Sequence, residues 1–271
     1  MMLLPSRAVT KPWGRRDLPP PFENPGTEPV GEIWCASPPP LADLRVKFIF
    51  TSEKLSVQCH PSDAQARAMG HGPKGKDECW FILAAEPGAR LAVGFAEPVD
   101  TPTLRAAALD GSIEELLQWH PVSAGDFFYI PAGTVHAIGA GVALIEVQQS
   151  TDITYRLYDY GRPRELHLDA ALAVALGTPH PAELRRRTVE NESVSLVDGP
   201  LFHLDLIAGV PDGAQYARHD APLLVLPLSG AVTAADGTRF VPGQCAHADT
   251  LRHLDFASDS RCLVARPAGV A

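Results

Sequence analysis

No stretch of this sequence is both long and apolar. The longest hydrophobic runs, such as residues 170–176, fall far short of the ~20 residues that a membrane-spanning helix needs. The opening Met1-Met2-Leu3-Leu4 is broken at Pro5, too soon for the apolar core of a secretion signal. Cysteine is scarce and odd in number: Cys35, Cys59, Cys79, Cys245 and Cys262, with no CxxC pair among them. That excludes a disulfide framework and a structural zinc knuckle. Reduced thiols and a cytoplasmic location are expected instead. Positive charge is also short, with 23 Lys and Arg against 32 Asp and Glu, a net charge of −9. An acidic surface argues against nucleic-acid and anionic-membrane partners. It leaves open a small anionic substrate gripped by a few basic side chains. Charged residues at 20% are too few for a coiled coil.

Turn formers are abundant. The 271 residues include 22 glycines and 26 prolines, well above the roughly 12% that the two contribute together in average usage. With 45% hydrophobic residues there is ample material for a core. This composition predicts short strands joined by turns, an all-β protein with short helical inserts. Residues 11–40 read as irregular structure around one strand at 32–35. Strand patterns follow at 46–50, 55–60, 78–83, 91–95, 127–130, 142–148 and 154–158. Residues 62–69 read as a helix capped by Ser62 or Asp63, 112–119 as a helix capped by Ser112, and 168–176 as an Ala/Leu-rich helix ended by Gly177. Beyond Pro181 strands recur at 193–197, 202–207, 223–228, 231–234 and 262–265 with turn signals between them, as in a sandwich or barrel. The change of pattern divides the chain into residues 1–178 and 179–271. Arg185-Arg186-Arg187 reads as a solvated loop.

Chemistry concentrates in three segments. If 55–60 is a strand, Ser56, Gln58 and His60 share one face and Leu55, Val57 and Cys59 the other. A buried strand rarely carries an all-polar face without a partner for it. In the second segment Lys76, Glu78 and Trp80 share a face. In the third, a strand at 127–130 runs into a Pro-Ala-Gly turn that presents His136. Two imidazoles, a carboxylate and an amide oxygen suit a divalent metal with open positions. Each residue alone is more often a packing residue; the combination carries the case. Cys59 and Cys79, one position from a candidate ligand, should face away from it.

These residues carry a resemblance. Gly125-x5-Pro131-x-Gly133-x2-His136 is similar to the second cupin motif, with Ala140 where Asn is usual, while the H-x-H pair of the first motif is replaced by Gln58-x-His60 and Glu78. That departure resembles the type I phosphomannose isomerases of the short bacterial class. So do Lys11-Pro12-Trp13-Gly14, Gly31-Glu32-Ile33-Trp34, Lys47-Phe48, Leu55-Ser56-Val57-Gln58, Lys76-x-Glu78 and Tyr129-Ile-Pro-Ala-Gly-Thr-Val-His136. The match continues through Glu146-Val-Gln-Gln-Ser150 and Asp152-x-Thr154-Tyr155-Arg156, covering roughly residues 8–165. The resemblance implies two cupin-like jelly-roll barrels, the N-terminal one catalytic and the C-terminal one degenerate and without ligands. It implies one zinc ion held by Gln58, His60, Glu78 and His136, and interconversion of mannose 6-phosphate and fructose 6-phosphate through an enediolate. It makes Arg156 and Lys76 the catalytic candidates, and Ser56, Lys47 and Glu32 substrate contacts. The expected partner is a small sugar phosphate, with the chain a monomer or weak homodimer. Gly75 stands where longer members have a histidine, so no ring-opening acid is assigned. Two other readings stay open: another cupin metalloenzyme, such as an iron dioxygenase or an isomerase of a different sugar phosphate, and a non-catalytic sugar-binding cupin.

Overall fold

The computed structural model describes residues 2–269. Its strands form antiparallel sheets of five, seven, six and three strands. The period-two patterning dictates how these sheets stack. In the strand Leu44–Phe50, Val46, Phe48 and Phe50 enter one core, while Ile49 points into another on the opposite face. The seven-stranded sheet is therefore buried on both sides. One face meets the five-stranded sheet, with Trp80, Ile82 and Leu144 packed on Leu91, Val93 and Ile138. The other meets the six-stranded sheet, where Phe48, Phe81 and Phe127 join a cluster with Phe202, Leu204, Leu226 and Leu263. The outer side of the five-stranded sheet is covered by the helices Thr101–Asp110 and Leu168–Val174 through Leu104, Ala107, Ala171 and Val174. The three-stranded sheet closes the far side of the six-stranded one through Val232, Leu254 and Phe256.

Most strands lie where alternation places them, and the helix Asp63–Ala68 has its reciprocal Ser62–Gln65 capping box. Three segments differ from the sequence reading. Residues 11–15, expected to be irregular, belong to the ten-residue strand Ser6–Arg15. It is the edge of the seven-stranded sheet and its register shifts between Thr10 and Arg15, so Pro12, which cannot donate to a ladder, is tolerated there. The helix expected over 112–119 is one turn, Ile113–Leu116, followed by the strand Leu117–Pro121. Pairing of Trp119 with Ala92 and of His120 with Leu91 outweighs local helix preference. Arg185–Arg187 is not a loop but an edge strand on Asp126–Ile130, with Arg187 Nη1 3.2 Å from Asp126 Oδ1. The helices Thr101–Asp110 and Gly213–Arg218, each capped by an aspartate, were not anticipated.

The chain crosses between sheets at its start. Met2–Leu3 pairs with Ala246–Ala248 in the six-stranded sheet, and Ser6–Arg15 then joins the seven-stranded one. Among the described residues no helix is long and apolar enough to cross a membrane.

Candidate metal centre and substrate cavity

Three loops and a ladder build the site. His60 lies just beyond the strand Val57–Cys59 and its carbonyl accepts from Gly133 N at 2.7 Å, tying it to the turn that delivers His136. His136 opens the strand His136–Ile138 directly opposite Gln58, and Arg156 lies opposite Gln58 on its other side. Arg156, Gln58 and His136 thus form one row across three strands. Glu78 enters from the seven-stranded sheet, as the first residue of Glu78–Ala85. Gly75 lets the preceding loop close: a Cβ there would sit 2.2 Å from the Pro61 carbonyl oxygen, and Lys76 N bonds that same oxygen at 3.0 Å.

His60, Glu78 and His136 are almost wholly inaccessible, at 1%, 0% and 1% exposure. One ligand-type atom from each lies within 4.8 Å of the others. His60 Nδ1 donates to the Ile153 carbonyl at 2.8 Å and His136 Nδ1 to the Thr134 carbonyl at 2.9 Å. These bonds fix the tautomer, so both Nε2 lone pairs point inward. Each Nε2 is 3.3 Å from a different oxygen of Glu78. Neither carboxylate oxygen has a hydrogen bond of good geometry, although Lys76 Nζ lies 2.7 Å from Oε2. A buried carboxylate without aligned donors, facing two imidazole lone pairs, is a donor set suited to a divalent cation. Gln58 borders it, with its amide nitrogen 3.3 Å from His136 Nε2 and its oxygen accepting from Ser56 Oγ. The two ends of an amide are interchangeable by rotation, so the carbonyl oxygen can be turned toward the centre.

Electrostatics agree. Burial lowers the His136 imidazole to about 4 and also lowers His60, helped by the nearby Lys76 ammonium, so both rings are neutral near pH 7. Burial pushes Glu78 upward, but Lys76 and the two imidazoles outweigh it and hold the carboxyl well below its usual range. Cys59 and Cys79 face away, into the apolar clusters on the outer sides of their sheets.

Above this centre lies a cavity of about 280 Å³. Lys76, Gln58, Ser56, Arg156, Lys47 and Glu32 all line it, so the structure brings the catalytic and substrate-contact candidates to one place beside the buried His60, Glu78 and His136. Lys47 is not a free cation, however. Its Nζ donates to Glu146 Oε1 at 2.8 Å and Gln148 Oε1 at 2.6 Å, leaving one of three donors for the cavity. Glu32 is held by Trp34 Nε1 at 2.7 Å and faces Lys11 at 3.3 Å. Arg156 is the opposite case: its Nε is buried with no hydrogen-bond partner among the described residues, and burial followed by repulsion from Arg164 lowers its affinity for a proton.

Some of the wall carried no assigned role in the sequence. Glu146 sits in the fully buried strand Val142–Gln149 and bridges Lys47 to Trp80 Nε1, 3.1 Å away. A charge inside an apolar run was its signal. Lys11, Trp34 and Arg164 reach the cavity from edge strand, neighbouring strand and loop; the first two stood in motifs that carry the resemblance, and no local pattern marks Arg164. Arg164 is fixed by Asp159 through two bonds of 2.6 Å.

No family model matches the chain. It is 38% identical over 180 residues to the mannose-6-phosphate isomerase of Streptococcus mutans, covering 63% of this chain and 56% of that protein. It is 40% identical over 157 residues to the mannose-6-phosphate isomerase ManA of Bacillus subtilis, covering 56% of this chain and 49% of that one. The chain thus spans about half the length of the curated relatives it matches. Among solved structures, the mannose 6-phosphate isomerase from Bacillus subtilis superposes with a TM-score of 0.79 at 24% identity, over 97% of this chain and 98% of that one. A variant of the phosphomannose isomerase from Salmonella typhimurium gives 0.76 at 14% identity over 98% of each. These likenesses establish the fold as the one those enzymes share.

Proposed function

We propose that this chain is a zinc-dependent aldose–ketose isomerase that interconverts mannose 6-phosphate and fructose 6-phosphate. The observation that carries this reading is the buried Glu78 carboxylate facing two oriented imidazole lone pairs, with Lys76 and Gln58 linking it to a basic cavity. Curated relatives bearing that activity in their names support the substrate. His60, Glu78 and His136, with the amide oxygen of Gln58, would hold the metal. When bound, zinc supplies Lewis-acid stabilisation of negative charge on the sugar oxygens.

The remaining work falls to the chain. The reaction removes a proton beside a carbonyl and returns it to the neighbouring carbon through an enediolate. Lys76, which lines the cavity and whose Nζ touches Glu78 and His60, is our proton-transfer group. Arg156 brings an uncommitted guanidinium donor to the enediolate or the phosphate. Ser56 and the third donor of Lys47 contact the phosphate, and Glu32 a sugar hydroxyl. The all-buried, unpaired cysteines fit a reducing compartment, and we place the protein in the cytosol.

The test is a coupled assay for fructose 6-phosphate formation from mannose 6-phosphate, run with chelator and with zinc restored. Chelator-sensitive turnover that zinc restores, and that His136→Ala abolishes, is the expected result. No turnover by folded, zinc-loaded protein overturns the proposal.

A further inference from the structure

A second cavity, of about 490 Å³, lies beside the first and shares Trp34 with it as a wall. Its lining is chemically one-sided. Arg7 and Arg45 contribute to it, as do the serines at 6, 37 and 150, and no Asp or Glu is among its lining residues. For a chain of net charge −9 that is an unusual local surplus of positive charge.

The sheet explains how the arginines are held. Arg7 lies directly across from Trp34 on the edge strand, and Lys47 across from it on the inner side. Arg45, two residues from Lys47, projects from the same face. The guanidinium carbons of Arg7 and Arg45 sit 5.5 and 4.9 Å from the centre of the Trp34 ring. A cation stacked on an indole is positioned without being neutralised. Two such guanidinia present planar forks of donors that match the oxygens of a phosphate. Among the described residues the one carboxylate that pairs with them, Asp152 on Arg45, is 65% exposed, so an incoming dianion displaces little.

We propose that this second cavity binds a small phosphorylated metabolite through its phosphate group, at a site distinct from the metal-centred cavity. The proposal stands on the geometry of Arg7, Arg45 and Trp34, and its test reads binding rather than turnover. Its failure is therefore separate from any failure of the isomerase reading.

The experiment is a tryptophan-fluorescence titration of the zinc-loaded protein at constant ionic strength, in an Arg156→Gln background that weakens anion binding in the first cavity. The probes are inorganic phosphate and glucose 1-phosphate. A saturable signal is expected, lost in Trp34→Phe, with the sugar phosphate binding the tighter because the cavity exceeds a lone phosphate. Arg7→Gln should weaken binding at least tenfold. Arg7 is exposed, so that variant keeps its fold, checked by an unchanged melting temperature. Absence of saturable binding, or an Arg7→Gln titration like its parent's, overturns the site. Equal or weaker affinity for glucose 1-phosphate overturns the assignment to a phosphorylated metabolite.

Discussion

Lys47 shows how one side chain can be read twice. From the sequence it is a phosphate contact; in the fold its ammonium sits between Glu146 and Gln148 with only 8% of the side chain exposed. Burial works against its charge, and Glu146 and Glu32 more than restore it, so its proton is held more tightly than in water. Removing one member of a buried ion pair leaves the other uncompensated, at a cost of about 3–5 kcal/mol. Lys47→Met should therefore lower the urea-unfolding free energy by that amount in the absence of substrate. A loss below about 1 kcal/mol, with KM for the sugar phosphate raised, would return Lys47 to a purely binding role. Glu78 was the more legible residue. A carboxylate at the head of an otherwise apolar strand has few explanations, and its match to Gln58, His60 and His136 could be stated from residue type. That Arg156 shares a row with Gln58 and His136 could not, because strand register is set by partners distant in the chain.

Among the elements, those whose periodicity and caps agree lie where the sequence places them, as with Asp63–Ala68 and Phe202–Ala208. Those that local preference misplaces, Ser6–Arg15 and Leu117–Pro121, are strands whose pairing is long-range. In the six-stranded sheet the strand Phe202–Ala208 and the helix Gly213–Arg218 are joined by Asp205. Its Oδ2 is 2.7 Å from Nε2 of the fully buried His219 and 2.8 Å from Arg218 Nε. Burial raises the Asp205 carboxyl, but the His219 bond and the Arg218 charge bring it below its ordinary 3.8. The folded state therefore binds that proton less readily than the unfolded one. The contribution is complete above the ordinary value and is lost as pH falls through the depressed one. Asp205→Asn should flatten the acid side of the stability profile. Urea midpoints at pH 5 and pH 3 measure it: the gap between them narrows in the variant, and an unchanged gap counts against the pairing.

For the whole molecule, the core between the seven- and six-stranded sheets is continuous, so both share one large apolar cluster. Metal binding at the proposed centre, on the far face of the seven-stranded sheet, would then be felt by the entire fold. A ligand that binds only the native state stabilises it by about 2.7 kcal/mol at a concentration 100 times its Kd. For a chain of this size that is a rise of roughly 5 °C in melting temperature. Zinc added to chelator-treated protein should produce such a rise, and His136→Ala should abolish it. Identical melting curves with and without zinc would remove the metal from the reading, whatever the assay shows.

The sequence by itself determined the short-strand architecture, the candidate ligand types and the polar face at 56–60. Each of these follows from composition or from spacing within a few residues, which covalent geometry converts directly into direction. Tertiary structure alone decided which cations are spent and which are free. It locked Lys47 into a buried pair, left Arg156 Nε without a partner, and set two arginines on Trp34 beside a second cavity. Whether a charge is neutralised depends on what sits within a few ångströms of it, and in an antiparallel sheet such a neighbour can be far off in the chain, as Glu146 is from Lys47, 99 residues away.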